Sequence, residues 1–542
     1  MKNRIFLRAA ALALTLCLSA PQFLSCQSGP LLKPQTQEPS AQASDETPVS
    51  EQSPAHSVEE EQLPKPQIGE TFDGAVIRFA VCEEGENSRS IDLGAQDDPE
   101  NAVNVQVKRR NEQVEKELDV KIELSKVVSM QKMISEMLPI LTSKVYTYDV
   151  LGLYQRFDLG LCISDAEGCF YTPARSKDMG NYLNLDAPWW DRALFEEVAY
   201  RDRSNYYFTG DLNLAHTGGL FVSYVNTDLW ADYADQIAKL RHSGGYSDPY
   251  DIVKKGYWTM DLLIELADLL YLDNGNTKGE VGFEDQVGLM TYNEQLNNHM
   301  VDVLFAGSRG RYGQKDGGGT PVLTINSDQN KAFFGKLYTL LCESNAATIP
   351  WLTDETGADL SIMEVFKRGK TLVTLNTLSC AAEDLSDMED DFYILPPPML
   401  RHAQFDENSP SLGYASQLSD GISQYVICNA IGDEKFPAVT ATLELMGYYS
   451  ALWVTPAYVK NLLGKRYGDA RAMELLELTK AGVYHDFVSI WSSELDNINW
   501  KFRTNYTKGG GGQAEKELRT WHRTVQGKLN KLLPLLAVYF VD

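Results

Sequence analysis

Ala75-Val76-Ile77-Arg78-Phe79-Ala80-Val81-Cys82 places Ile77, Phe79 and Val81 on one face of an extended chain, the period-two pattern of a strand. Val103, Val107, Val114 and Leu118 then recur at helical spacing, and Val120 to Leu124 returns to strand character. A helix from Gln131 towards Lys144, interrupted at Pro139, leads to an apolar strand candidate over Tyr148 to Tyr154. Strand and helix alternating in this way build a parallel sheet with helices outside it, so the expected fold class is α/β.

Working outward, Tyr206 to Thr209, Leu220 to Val225, Val287 to Met290, Thr371 to Leu375, Phe392 to Leu395 and Tyr425 to Asn429 read as further strands. Thr259 is placed to cap a helix whose Leu262, Leu263, Leu266, Leu269 and Leu270 form one apolar stripe. Helical spacing also marks Asn330 to Glu343, Ser361 to Lys367, Pro437 to Trp453, Asp469 to Lys480 and, after a hinge at Gly509 to Gly512, Glu515 to Leu533. The chain has 542 residues, 43% of them hydrophobic. Single cores stop growing near ~250 to 300 residues, so at least two lobes are expected.

The front of the chain has a different composition. Residues 1–25 open with Lys2, Arg4 and Arg8, carry no acid, and run apolar from Ala9 to Ala20, the pattern of a secretory signal too short to span a bilayer. Phe23-Leu24-Ser25-Cys26 resembles the lipobox of bacterial lipoproteins, which makes Cys26 the expected lipidation site; ordinary cleavage leaving a thiol is the alternative. Residues 26–67 hold seven Pro, seven Gln and no Phe, Trp or Tyr, so they are expected to be a disordered linker. The signal carries +3 and the linker −5, which leaves −24 of the total −26 on residues 68 to 542. That charge repels a phosphate backbone and argues against nucleic acid as a partner.

Chemistry with a motif of its own is scarce. No HExxH, CxxC, GxSxG or GxGxxG occurs, and the seven His are isolated, so neither a metal nor a cofactor is expected. Asp273-Asn274-Gly275-Asn276 with Glu284 and Asp285 has some character of a calcium loop without EF-hand offsets; a polar surface loop is the simpler reading. Cys162 and Cys169 are close enough for a local disulfide, with two independent thiols equally compatible. With 75 acidic residues, a pair serving as glycosidase acid and nucleophile is always available by chance, and none has a visible reason for a raised pKa.

Several stretches carry a resemblance when taken in order: Ala187-Pro188-Trp189-Trp190-Asp191, Tyr207-Phe208-Thr209-Gly210-Asp211, Tyr224-Val225-Asn226-Thr227-Asp228-Leu229-Trp230, Tyr257-Trp258-Thr259, Asp285-Gln286-Val287-Gly288-Leu289, Ser419-Asp420-Gly421-Ile422 and Val454-Thr455-Pro456-Ala457-Tyr458. The set resembles the extracellular solute-binding proteins of ABC importers, family 1, a mostly carbohydrate-binding group, over nearly all of residues 68 to 542. The segment Cys162 to Lys177 is longer and more polar, and the loop at Asp273 shorter, than the resemblance implies.

The resemblance implies a two-lobed periplasmic-binding-protein-like fold of type II, its hinged lobes each having a central sheet flanked by helices. Lobe 1 would comprise residues 68–224 plus 394–432, and lobe 2 residues 225–393 plus 433–542. It further implies a carbohydrate ligand, an oligosaccharide by expectation, held between the lobes and passed to ABC transporter permease subunits. The chain would be a monomer without catalytic turnover, lipid-anchored at the extracellular face of the cytoplasmic membrane. A binding protein for peptide or another polar solute, a cell-surface glycoside hydrolase and a surface adhesin are the competing classes.

A pyranose has an apolar C–H face and a ring of hydroxyls, so its binder needs aromatic platforms and side chains that donate and accept in pairs. Trp189 and Trp190 answer the first need, unless both are plugs between helices. Asp211 and Asn213 in one lobe, and Tyr292, Asn293 and Asn376 in the other, follow strands, where open α/β sheets present ligand groups. Asp420 is the remaining polar candidate, with a turn or hinge role as its alternative. Trp491 and Trp500 are placed to close one end of the cleft, or to pack.

Overall fold

The computed structural model describes residues 63–542 except 85–86, 89–91, 95–99, 130–132, 144–146, 156–168, 173–179, 202–204, 275–284, 294–298, 350–351, 354–358, 511 and 540–542. Cys26, Cys162 and most of the loop after Asp273 therefore lie outside the described residues. Among the described residues fifteen strands follow one another: β1 (Ala75–Glu84), β2 (Asn87–Ser88), β3 (Val120–Ser129), β4 (Val150–Tyr154), β5 (Phe170–Tyr171), β6 (Phe221–Asn226), β7 (Val287–Tyr292), β8 (Gly313–Lys315), β9 (Pro321–Leu323), β10 (Ala347–Ile349), β11 (Leu352–Thr353), β12 (Asp359–Leu360), β13 (Thr371–Thr377), β14 (Phe392–Leu395) and β15 (Ser423–Cys428). β8 with β9 and β11 with β12 are small hairpins; the rest form two sheets.

The first sheet runs β3-β1-β4-β15-β5, with β2 folded antiparallel against the end of β1. β1 is parallel to β3 and β4, whereas β15 is antiparallel to β4, pairing Gln424 with Leu153 and Val426 with Leu151. The second sheet runs β10-β7-β13-β6-β14. There β7 is parallel to β10 and β13, and β6 is antiparallel to β13. The two sheets thus share one plan: three parallel strands, then an antiparallel strand that arrives from the other sheet. All five residues of β4 and all six of β6 are buried, which is why these stretches read as unbroken apolar runs instead of alternating ones.

Local chemistry explains the element ends. The helix Ala102–Leu118 begins where Asn101 Oδ1 accepts from the backbone N–H of Val103 at 3.0 Å and of Asn104 at 3.2 Å, and it ends at Asp119 in the left-handed region. Thr259 Oγ1 accepts from Leu262 N at 3.2 Å and caps Met260–Leu269, as the sequence predicts. Two expected helices instead end in a π turn, at Thr339–Glu343 and Ser450–Val454. The change from i→i+4 to i→i+5 bonding leaves too small a mark on the apolar spacing to be read. Tyr206 to Thr209 makes only a bridge between Phe208 and Tyr425, because Asn205 Oδ1 draws Tyr207 N into a local turn at 2.6 Å.

Sheet membership places the lobe boundaries differently from the expected 68–224 plus 394–432 and 225–393 plus 433–542. β6 lies wholly in the second sheet, so the first crossing precedes Phe221, and β14 stays in that sheet to Leu395. The helix Phe436–Tyr449, expected in lobe 2, packs on Ala102–Leu118 and β1 of the first sheet. It is buried on nearly every face, so its sequence carries no stripe to say which layer covers it. The chain reaches the second sheet again with Leu462 and Leu463, which pack with Tyr224 and Phe392, and with Arg466, whose Nε donates to Phe392 O at 2.7 Å; the helix Ala470–Ala481 then packs on β14.

Candidate functional site

The main pocket encloses about 540 Å³, part of it open to solvent, and is walled by residues of both sheets and of the segments that join them. Gln155 follows the C-terminal end of β4, and Phe221 opens β6 opposite Thr377, the last residue of β13. Carboxyl ends of parallel strands in the two sheets therefore border one space, where open α/β sheets place their ligands. Gln417 to Ile422, just before β15, forms a third side. Asp302 and Phe305 come from the helix His299–Gly307, and Asn499 and Arg503 from Ile498–Thr504. A second pocket of about 330 Å³ shares Asp420, Ser489, Ile490, Asn499 and Arg503 with the first and is also lined by Trp500.

Charge in the pocket is organised around Arg503, which is 3% exposed. Its Nη2 is 2.5 Å from Asp302 Oδ2 and 3.6 Å from Asp420 Oδ2. Burial by itself would lower the guanidinium pKa, but the charges of Asp302 and Asp420 hold it above its ordinary value. Asp486 caps the short helix Phe487–Ile490: its Oδ1 accepts from Val488 N and Ser489 N at 2.8 and 3.1 Å, and its Oδ2 accepts from Tyr312 N at 2.6 Å. Burial nonetheless pushes Asp486 up to about 6 against those hydrogen bonds.

Behind His485 stands a carboxylate shared by two imidazoles. Asp191 Oδ2 is 3.0 Å from His216 Nε2 and 3.1 Å from His485 Nε2, while Asp191 Oδ1 caps the helix Arg192–Val198 through Leu194 N. Burial acts to raise the Asp191 pKa, but the two imidazoles pull it well below the usual carboxylate range. For His216 burial acts to lower the pKa, and Asp191 overcomes it, leaving a net rise.

The apolar wall is Phe305 stacked on Tyr312, with ring centroids 4.4 Å apart, and Phe502 edge-on behind Tyr312 at 5.0 Å. Among the described residues, two amides on this lining each keep a buried atom without a hydrogen-bond partner. Asn499 Nδ2 donates to Ser489 Oγ at 3.1 Å while its Oδ1 has none, and Gln417 Nε2 likewise has none. Such atoms carry a desolvation cost that a ligand hydroxyl, which both donates and accepts, relieves. Among the described residues no group of three His, Cys, Asp or Glu is arranged to hold a metal ion.

Of the ten residues singled out from the sequence, Asp420 and Trp500 line these pockets. Trp189 and Trp190 do not: they are 3% and 5% exposed and plug the space under Phe436–Tyr449. Trp190 Nε1 donates to Glu444 Oε2 at 3.0 Å, Trp189 packs edge-on to Tyr448, and a Cβ on Gly447 would lie 2.6 Å from the Trp189 ring. Asp211 is anchored by its own N–H on the Trp189 carbonyl at 2.9 Å. Its neighbour Gly210 leaves no room for a side chain, since a Cβ there would sit 2.1 Å from that same oxygen. Asn213 is fully buried, capping Leu214–Gly218 and donating to Ser423 O at 2.9 Å.

In the second sheet Tyr292 Oη accepts from Ile362 N at 3.3 Å, and Asn293 N donates to Ile349 O at 2.8 Å, both on the β7–β10 side away from Phe221. Asn376 turns its Oδ1 back onto Thr377 N at 2.9 Å. Trp491 is 1% exposed and packs with Phe487. Sequence reasoning missed Gln155, Gln417, Asn499 and Arg503. Nothing local distinguishes these from surface polar residues, because their shared destination is created by chain segments hundreds of residues apart.

No family model matches the sequence, and no curated protein matches it either. Solved structures do match the fold. An ABC substrate-binding protein from Listeria monocytogenes in complex with cycloalternan is 14% identical, with a TM-score of 0.50 over 84% of this chain and 100% of that one. A cyclic α-maltosyl-1,6-maltose binding protein from Arthrobacter globiformis is 11% identical, with a TM-score of 0.50 and the same coverage. The chain therefore has the two-lobed α/β fold found in ABC substrate-binding proteins.

Proposed function

We propose that this chain is the solute-binding component of an ABC importer, capturing an oligosaccharide between its two sheets and passing it unaltered to a membrane permease. The lining of the pocket carries the reading. Among the described residues Gln417 Nε2 and Asn499 Oδ1 are a buried donor and a buried acceptor without partners, set beside carboxylates, a guanidinium and aromatic rings. That mixture suits a ring of hydroxyls with apolar faces and does not favour a purely apolar solute. Structures of similar fold bind cyclic oligosaccharides, which supports the same ligand class here. Export by residues 1–25, lipidation at Cys26 and a tether over 26–67 complete the proposal and place the binding lobes outside the cytoplasmic membrane.

A thermal-shift screen over linear and cyclic oligosaccharides tests it. A ligand at one hundred times its Kd stabilises the folded state by about 2.7 kcal/mol. A rise in Tm with at least one sugar, lost in Gln417→Ala and Asn499→Ala, is expected. Reducing-sugar release by the purified chain above a heat-inactivated control would replace the binding reading with a hydrolase.

A further inference from the structure

We propose that Asp302, Arg503 and Asp420 act as a charge filter, so that the pocket accepts uncharged oligosaccharides and rejects anionic ones, with Asp420 as the specificity-determining residue. The inference rests on the carbohydrate reading above and narrows it to a ligand class. Asp302, Asp420 and Asp486 bring three carboxylates to the lining, against the single guanidinium of Arg503. That guanidinium is 2.5 Å from Asp302 and 3.6 Å from Asp420, so its charge is already neutralised from within the protein. A uronate, sulfate or phosphate entering here meets net negative charge: the guanidinium on the lining is held by two carboxylates, and Arg311 stands behind the lining, donating to His485 O at 2.8 Å and offsetting part of the Asp486 charge.

Asp420 decides the matter because of where it stands. It belongs to both pockets, its side chain is 25% exposed where Asp302 is 10% exposed, and it lies on the segment leading into β15. A ligand that occupies either pocket, or spans both, meets this carboxylate. The −24 carried by residues 68 to 542 acts in the same direction at long range.

The test is calorimetric titration of the full chain with galacto-, gluco- and manno-trisaccharides, each paired with the trisaccharide of its own uronic acid. The neutral member of a binding pair should bind at least about tenfold more tightly, an effect within reach of one like charge at a partly desolvated site. Asp420→Asn should narrow that ratio, and so should raising salt from 20 to 500 mM on the unaltered protein, roughly the range over which screening becomes strong. The salt arm does not depend on any variant folding. A uronate that binds as tightly as its neutral partner, or a ratio unmoved by both D420N and salt, overturns the filter and leaves the carbohydrate reading standing. Failure of every trisaccharide, neutral and anionic alike, together with every linear and cyclic oligosaccharide of the thermal-shift screen, to bind folded protein overturns both.

Discussion

Replacing Glu444 by Gln should reshape the pH profile of stability, because this carboxyl is buried where the first sheet's covering helix meets the two tryptophans. Glu444 is 2% exposed, and its Oε2 accepts from Trp190 Nε1 and from Asn184 N, each at 3.0 Å. Burial outweighs those bonds and pushes its pKa from the ordinary 4.5 up to about 7. The difference converts to roughly 3 kcal/mol, taken as an upper bound. The folded chain holds this proton more tightly than the unfolded chain does. Its contribution is therefore complete below about pH 4.5, declines as pH rises, and is gone above about pH 7. Glu444→Gln has no proton to lose and still presents an oxygen to Trp190 and Asn184. Urea unfolding followed by tryptophan fluorescence between pH 4.5 and 8 measures the difference between the two proteins. That difference should move by up to about 3 kcal/mol, in favour of the variant at high pH. Parallel curves, separated by a constant amount at every pH, would refute the claim that burial keeps this group protonated.

Trp189→Ala should cost about 3 to 5 kcal/mol in the same unfolding assay, as removal of a buried indole does, while leaving sugar affinity within about twofold. A large loss of affinity with little loss of stability would return Trp189 to the binding surface. Asp191→Asn should drop the His216 titration below its ordinary value, since the amide no longer offsets burial; imidazole NMR signals followed against pH report it. The stabilising His216–Asp191 pair of the unaltered protein is fully present below about pH 6.5 and fades as pH rises through the folded-state value, so the cost of D191N should be greatest in acid. Asn213→Ala removes both the cap on Leu214–Gly218 and the bond to Ser423 O, and should cost roughly 1 to 3 kcal/mol by thermal unfolding.

The alternation from Ala75 to Tyr154 marks β1, β3 and β4 in the sequence, because period two and period 3.6 are local properties of the backbone. The runs at Leu220, Val287, Thr371, Phe392 and Tyr425 likewise mark their strands, being buried on both faces. Which sheet each strand joins was decided only in three dimensions. β15 enters the first sheet between β4 and β5, and β6 enters the second between β13 and β14, by pairings that span up to 277 positions, from Val150 to Ile427.

The site divides along the same line. The sequence offered Asp420 and Trp500 as candidates, the first as the polar residue of a stretch that resembles solute-binding proteins and the second, with Trp491, as a flank of Ser492 to Asn499. It also supplied Trp189 and Trp190 as platforms, and an adjacent pair of indoles carries no local mark that separates a stacking surface from a plug. The helix Phe436–Tyr449 decides it by covering both rings. Arg503, Asp302 and Asp420 come within reach of one another only after helices about two hundred residues apart in sequence pack together. Burial and charge matching are properties of the space between segments, and that space exists only in the folded chain.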